Sequence, residues 1–212
     1  MNETESTSRG EIKRERVGEA IRRRKIRKVL WVALSTLVVI VLVSGISWLS
    51  IRRARNAPGA YYPSAGQEHI GLKDTPPKPY NSNPPSSGAH FGQPANWGVY
   101  EYEVDDKIFI HNLEHGGVWI AYGPTVPPKA IEDLKEVVNE FGGSKIVMAP
   151  RSANDTDVAL AVWRRVLKFN LAEGVLSDEQ KNQIRAFYRA FKNRGPEFVP
   201  DTMPGTDPKS VQ

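Results

Sequence analysis

The sequence predicts an α+β protein: one N-terminal transmembrane helix, then a two-layer domain whose mixed or antiparallel sheet is backed by two helices, with a long proline-rich loop. Three observations carry this. Val29 to Ile51 is 23 residues without a charge, bounded by Lys28 and Arg52. In the C-terminal half, short β-type runs come in turn with two helical patterns. Before them, Pro76, Pro77, Pro79, Pro84, Pro85 and Pro94 fall within 19 residues, which excludes helix there. The expected organisation is a basic cytoplasmic tail (1–28), a transmembrane helix (29–51), a linker (52–65), an extracytoplasmic domain (66–199) and a flexible tail (200–212).

At about 1.5 Å per residue the apolar run is long enough for a bilayer core of roughly 30 Å. Trp31 and Trp48 lie near its ends, where aromatic belts form. A cleavable signal peptide fits less well, because no small-residue cleavage pattern follows the run. Residues 9–28 carry ten Lys and Arg, against Arg52, Arg53 and Arg55 on the far flank. This bias places the N-terminus in the cytoplasm and the domain outside. Lipid is therefore an expected partner, and Arg22 to Lys28 would attract anionic headgroups.

The net charge of +5 belongs to the anchor. Residues 1–55 hold 13 basic and 5 acidic side chains, a net +8; the remainder holds 16 and 19, a net −3. A mildly acidic domain offers no basic face for nucleic acid. The chain has no cysteine, which removes thiolate chemistry, iron–sulfur clusters and disulfides.

Each element has its own signal. Tyr100 to Val104 alternates apolar and charged residues with period two, a strand pattern. Asp105 to Lys107 reads as a turn. Ile108 to His111 and Val118 to Tyr122 read as two further strands. Pro128 to Phe141 reads as a helix with Ile131, Leu134, Val138 and Phe141 on one face, ended by Gly142-Gly143. Lys145 to Ala149 and Val158 to Phe169 read as strands. Ser177 to Arg194 reads as a helix, opened by a Ser177/Gln180 capping box and buried along Ile184, Phe187, Tyr188 and Phe191.

All four histidines fall in a stretch of 47 residues: His69, His90, His111 and His115. Imidazole is a common metal ligand. His111 and His115 share an ion if the three residues between them make a helical turn, or a tight loop between paired strands; fully extended, their rings are roughly 13 Å apart. Gly116-Gly117 allows a sharp change of direction. His90 follows a stiff Pro-Pro-Ser-Ser-Gly-Ala segment, a good way to present a ligand. Glu114 has three possible roles: a ligand, an outer-shell acceptor fixing a histidine ring, or a general base on metal-bound water; adjoining His115, it is poorly placed to bind the same ion, which favours the outer shell or a structural salt bridge. No Gly-x-Ser-x-Gly elbow and no phosphate-binding glycine loop occurs.

Two segments carry a resemblance: Tyr80-Asn-Ser-Asn-Pro-Pro-Ser-Ser-Gly-Ala-His90 and His111-Asn-Leu-Glu-His-Gly-Gly-Val118. Over roughly residues 60 to 200 the chain resembles the bacterial domain of unknown function 3105 family, whose members show similar segments, typically behind one membrane anchor. Ser86 stands where threonine is usual and Ala89 where proline is usual. The resemblance supports His90, His111 and His115 as a unit and implies no reaction.

The expected function is a membrane-anchored extracytoplasmic domain that binds copper or zinc through His69, His90, His111 and His115. Imidazole with a possible Met148 thioether suits copper; imidazole alone also suits zinc. One alternative is a protein- or cell-wall-binding module with an aromatic surface of Tyr61, Tyr62, Tyr80, Phe91, Trp97 and Trp119 and structural histidines. The other is a metal-dependent hydrolase with Glu114 as base. Non-enzymatic metal binding is the favoured reading.

Overall fold

A computed structural model describes residues 3–55 and 57–212, without the side chains of residues 3–15, 17, 20 and 53–55. The chain divides into two units, residues 1–57 and 58–212. The first is helix α1, Glu3–Arg55. Its segment Ile21–Arg52 is, by length and composition, long and apolar enough to cross a membrane. The helix therefore extends on both sides of the apolar run Val29 to Ile51.

The second unit is an α+β domain on a six-stranded mixed sheet. Its strands are β1 (Ala60–Tyr61), β4 (Gly98–Val99), β5 (Val118–Tyr122), β6 (Ile146–Pro150), β7 (Val158–Val162) and β8 (Arg165–Phe169), in the order β1-β8-β7-β5-β6-β4. β4, β6 and β5 run parallel; β7, β8 and β1 are antiparallel. A separate parallel pair joins β2 (His69–Ile70) to β3 (His90–Phe91).

Both faces of the sheet are covered. Because side chains alternate along a strand, Val118, Ile120, Ile146, Met148, Val158 and Leu160 face helices α3 (Pro128–Asn139) and α4 (Asp178–Phe191). Trp119, Ala121, Val147, Ala149 and Ala161 face the other way. There they meet Ile108, Phe109 and Leu113 of helix α2 (Asp106–Glu114), with Phe91 and Trp97 of the proline-rich segment. The two helices expected behind the sheet are present, and the Ser177/Gln180 capping box forms. The proline-rich segment lies across one face, as expected.

Three readings are corrected. Ile108–His111 is helix, not strand, and Asp105 to Lys107 opens it. Asp105 accepts from the Lys107 amide at 2.8 Å, and Asp106 sits in the first turn, where acidic groups complement the helix dipole. Residues 108–114 are all buried, so the helix has no polar face to mark a 3.6-residue period. Tyr100–Val104 leaves the ladder after Val99. Its alternation instead reports Tyr100, Tyr102 and Val104 packed inward and Glu101 and Glu103 exposed. Val158–Phe169 is not one strand but a hairpin turning at Trp163-Arg164, a pair without the usual turn residues.

Arg151 ties the layers together. Its guanidinium grips Asp106 through two bonds of 2.7 and 2.8 Å, reaches Asn83 at 2.6 Å and lies over the Trp119 ring. Arg151 is buried and Asp106 half-buried, so removing the guanidinium leaves a partly desolvated carboxylate without its partner. Arg151→Ala is expected to lower unfolding free energy by about 3–5 kcal/mol, measured by urea denaturation. Arg151→Lys should recover little of this, because a lysine lacks the two-pronged geometry.

Candidate metal centre

Four side chains meet beside α2. His69, His90, His111 and Glu114 each offer one ligand atom, and these atoms lie within 4.8 Å of one another. The topology explains how residues so far apart in sequence converge. β2 pairs with β3 in a register that sets His69 directly opposite His90, so neighbouring side chains share a face. His111 and Glu114 are three residues apart on α2, the spacing that puts two side chains on one side of a helix. The rings of His69 and His111 stack at 4.9 Å, and His90 sits edge-on to both at 4.9 and 5.1 Å.

Backbone carbonyls orient two of the rings. His90 Nδ1 lies 2.8 Å from the Gly88 carbonyl, and His111 Nδ1 lies 2.7 Å from the Phe91 carbonyl. A carbonyl only accepts, so each Nδ1 carries a proton; the Nε2 then either keeps a bare lone pair or, in the charged ring, carries a second proton. Metal-binding histidines are commonly held this way. His90 Nε2 then faces Glu114 Oε2 at 3.0 Å, and His69 Nε2 lies 3.5 Å from the same oxygen. A bare nitrogen and a carboxylate oxygen repel at that distance unless a proton or a metal cation lies between them.

Glu114 is 1 % exposed, yet among the described residues its ion-pair partners are histidines alone. Burial raises its pKa, but hydrogen bonding and charge from His90, then His111 and His69, outweigh this and hold it below the ordinary carboxylate value. Burial lowers the pKa of His111, with His90 and His69 adding to the effect against the Phe91 carbonyl and Glu114. Its ring is therefore neutral at neutral pH, the form a metal requires.

The donor set fits a transition metal. Tetrahedral zinc with bonds of 2.0–2.2 Å has ligand atoms roughly 3.3–3.6 Å apart, so the group needs to contract by about an ångström. His69 is half exposed and faces solvent, whereas His90 and Glu114 are buried. An ion would thus enter past His69.

The fourth histidine stands behind this group. His115 Nε2 lies 3.1 Å from His111 Nε2 and 3.4 Å from Glu197 Oε2. An N–H on this nitrogen has the Glu197 carboxylate as its acceptor whenever the His111 Nε2 lone pair is given to an ion. Burial first, then the charges of His111 and Lys145, push its pKa down to about 4. On a helix the i+3 and i+4 positions after His111 diverge by about 100°, which is why Glu114 joins the group and His115 does not. Met148 faces α3 and α4, on the side of the sheet away from α2.

Sequence reasoning missed three supports. Asn112, fully buried, accepts from the Ala95 amide at 2.9 Å and donates to the Ala95 carbonyl at 2.8 Å. Lys145, also buried, donates at 2.6 Å to the carbonyls of His115 and Val199 and so holds the C-terminal end of α2. Residues 193–197 cross that end closely: the Glu197 amide donates to the Glu114 carbonyl at 3.1 Å, and a Cβ at Gly195 would come within 2.0 Å of that oxygen. None of these has a local pattern; only Gly116-Gly117 announces the crowding. A Cβ on Gly117 would sit 2.5 Å from the Trp97 ring and 2.7 Å from the Asn112 carbonyl.

Asn112→Ala would leave the Ala95 amide and carbonyl buried without partners. A loss of about 2–4 kcal/mol is expected in urea denaturation, from two unsatisfied groups. Gly117→Ala should cost about 1–3 kcal/mol by overpacking.

Searches of curated proteins and of solved structures returned no match. A family model described as "Protein of unknown function (DUF3105)" matches residues 74–202, which include His90, His111, Glu114 and His115 but not His69. That match covers more than half of the chain, and the protein therefore belongs to the DUF3105 family of proteins of unknown function.

Proposed function

We propose that this protein is a membrane-anchored extracytoplasmic domain that binds one transition-metal ion, zinc or copper, through His69, His90, His111 and Glu114. One observation carries the reading. A buried carboxylate meets imidazoles of which two already donate from Nδ1 to backbone carbonyls, so that each can turn an Nε2 lone pair inward. A divalent cation takes up such lone pairs and neutralises the buried charge at once. The carboxylate oxygen and the distance of Met148 weaken the thioether argument for copper, and three imidazoles with one carboxylate suit zinc well. His115 serves as a neighbour whose ring packs edge-on against the His111 ring at 4.5 Å.

The apolar Ile21–Arg52 segment supports the anchor, and the ten-to-three bias of basic residues supports a cytoplasmic N-terminus. A protease added to intact spheroplasts should then digest the C-terminal domain; full protection of the domain overturns this topology.

Full-length protein, stripped and reconstituted with zinc or copper, should hold about one equivalent. At a metal concentration 100 times Kd the native state gains about 2.7 kcal/mol. For a domain of this size that raises Tm by roughly 5–10 °C. His90→Ala, His111→Ala and Glu114→Ala should abolish stoichiometric binding, whereas His115→Ala should retain the ion at roughly 10–100-fold lower affinity. Affinity should fall as pH drops below about 6.5, because protons compete for the imidazoles. Less than about a tenth of an equivalent with no thermal shift would sink the proposal.

A further inference from the structure

The tip of the β7–β8 hairpin carries a feature that the metal centre does not use. Arg164 has φ +66°, in the left-handed region that favours glycine. Trp163 and Arg164 occupy a two-residue turn where asparagine and glycine are the usual choices. Residues that break a local rule in this way tend to mark function. Trp163, Arg164, Tyr61, Phe191, Arg194 and Pro196 line a groove of about 360 Å³. Arg164 lies over the Tyr61 ring at 4.8 Å, and its buried Nε has no hydrogen-bond partner. Among the described residues neither Arg164 nor Arg194 makes an ion pair. Arg165 stands beside them, donates to the Gly59 carbonyl at 2.9 Å and stacks over Phe191 at 5.5 Å. The nearby Glu197 carboxylate faces His115 instead.

Two guanidinium groups without carboxylates, against aromatic walls, form an anion site with an apolar rim. Guanidinium geometry matches phosphate oxygens. In the sequence Tyr61 follows Arg55, the last residue of α1, by six positions. If α1 spans the bilayer, phospholipid headgroups are then the most concentrated phosphates within reach, and aromatic residues favour that interfacial depth. We infer that this groove binds the phosphate of an anionic phospholipid headgroup in the outer leaflet, with Arg164 and Arg194 as the phosphate contacts. The inference rests on the anchored topology proposed above and not on the metal.

The test uses full-length protein in nanodiscs of phosphatidylcholine alone or with phosphatidylglycerol. Arginines are modified with phenylglyoxal and the products mapped by mass spectrometry. Arg194 should react at least several-fold more slowly in the phosphatidylglycerol discs, whereas exposed Arg189 on α4 should not change. Arg164→Gln should abolish the protection of Arg194; Arg164 carries no ion pair, so the variant should lose only the contact over Tyr61 and melt within a few degrees of wild type. Equal rates in both discs overturn the proposal, as does equal slowing of Arg189 and Arg194. Protection reproduced by inorganic phosphate in phosphatidylcholine discs assigns the groove to free phosphate instead. The protease experiment reports separately on topology, so a domain on the cytoplasmic side is told apart from an empty groove.

Discussion

Helix α2 is only nine residues long, and its last seven residues are buried, so every polar group on it must find a partner inside the protein. That constraint organises the surrounding structure. Asn112 claims the backbone of Ala95, His111 the carbonyl of Phe91, and Asp106 the guanidinium of Arg151. Each partner lies outside the helix, and two belong to the proline-rich segment. The segment has little regular structure of its own, because its prolines cannot donate to a ladder. It is instead ordered by side chains: Tyr80 donates to the Ala89 carbonyl, the Ser87 hydroxyl accepts from the Ala65 amide, and Ser82 and Ser86 bond each other. His90 is delivered at the end of this framework.

Glu114 is the exception that gives the site its character. Asp106, half-buried, has an arginine; Glu114, more deeply buried, has only imidazoles. Two of the surrounding rings each have one proton committed to a carbonyl on the far side, so each can turn a lone pair towards the inner surface of the cluster. Such a surface is costly without a cation and favourable with one. The burial that makes lone pairs beside a carboxylate costly also keeps His111 neutral, so the feature that penalises a proton is the feature that suits a metal ion.

The arginine groove shows the opposite electrostatics at the tip of the β7–β8 hairpin. Among the described residues its Arg164 and Arg194 make no ion pair, and the Trp163 ring that lines it lies 6.3 Å from the ring of His90. Trp163 is thus shared between a cluster short of positive charge and a groove short of negative charge. A substitution there would be felt in both places.

The length of the apolar run, the α+β class, helices α3 and α4 and strands β5 and β6 were all legible in the sequence. Each has a complete local signal: 23 uncharged residues, an apolar face stepping by three and four, a capping box, or a β-branched run ended by glycine or proline. The clustering of the histidines and their companion glycines was legible too, because residue type and spacing carry it. What the sequence could not decide was where burial erased the periodicity. A helix apolar on all sides reads like a strand, so Ile108–His111 was misassigned, and with it went the spacing that pairs His111 with Glu114 rather than His115. The hairpin at Trp163-Arg164 was hidden for a different reason, since its turn residues are not turn formers. The parallel register of His69 with His90, the Arg151–Asp106 grip and the Asn112–Ala95 bonds join residues 17 to 45 positions apart. Local propensity says nothing about such pairs; only the packing of α2 and the proline-rich segment on one sheet face brings them together.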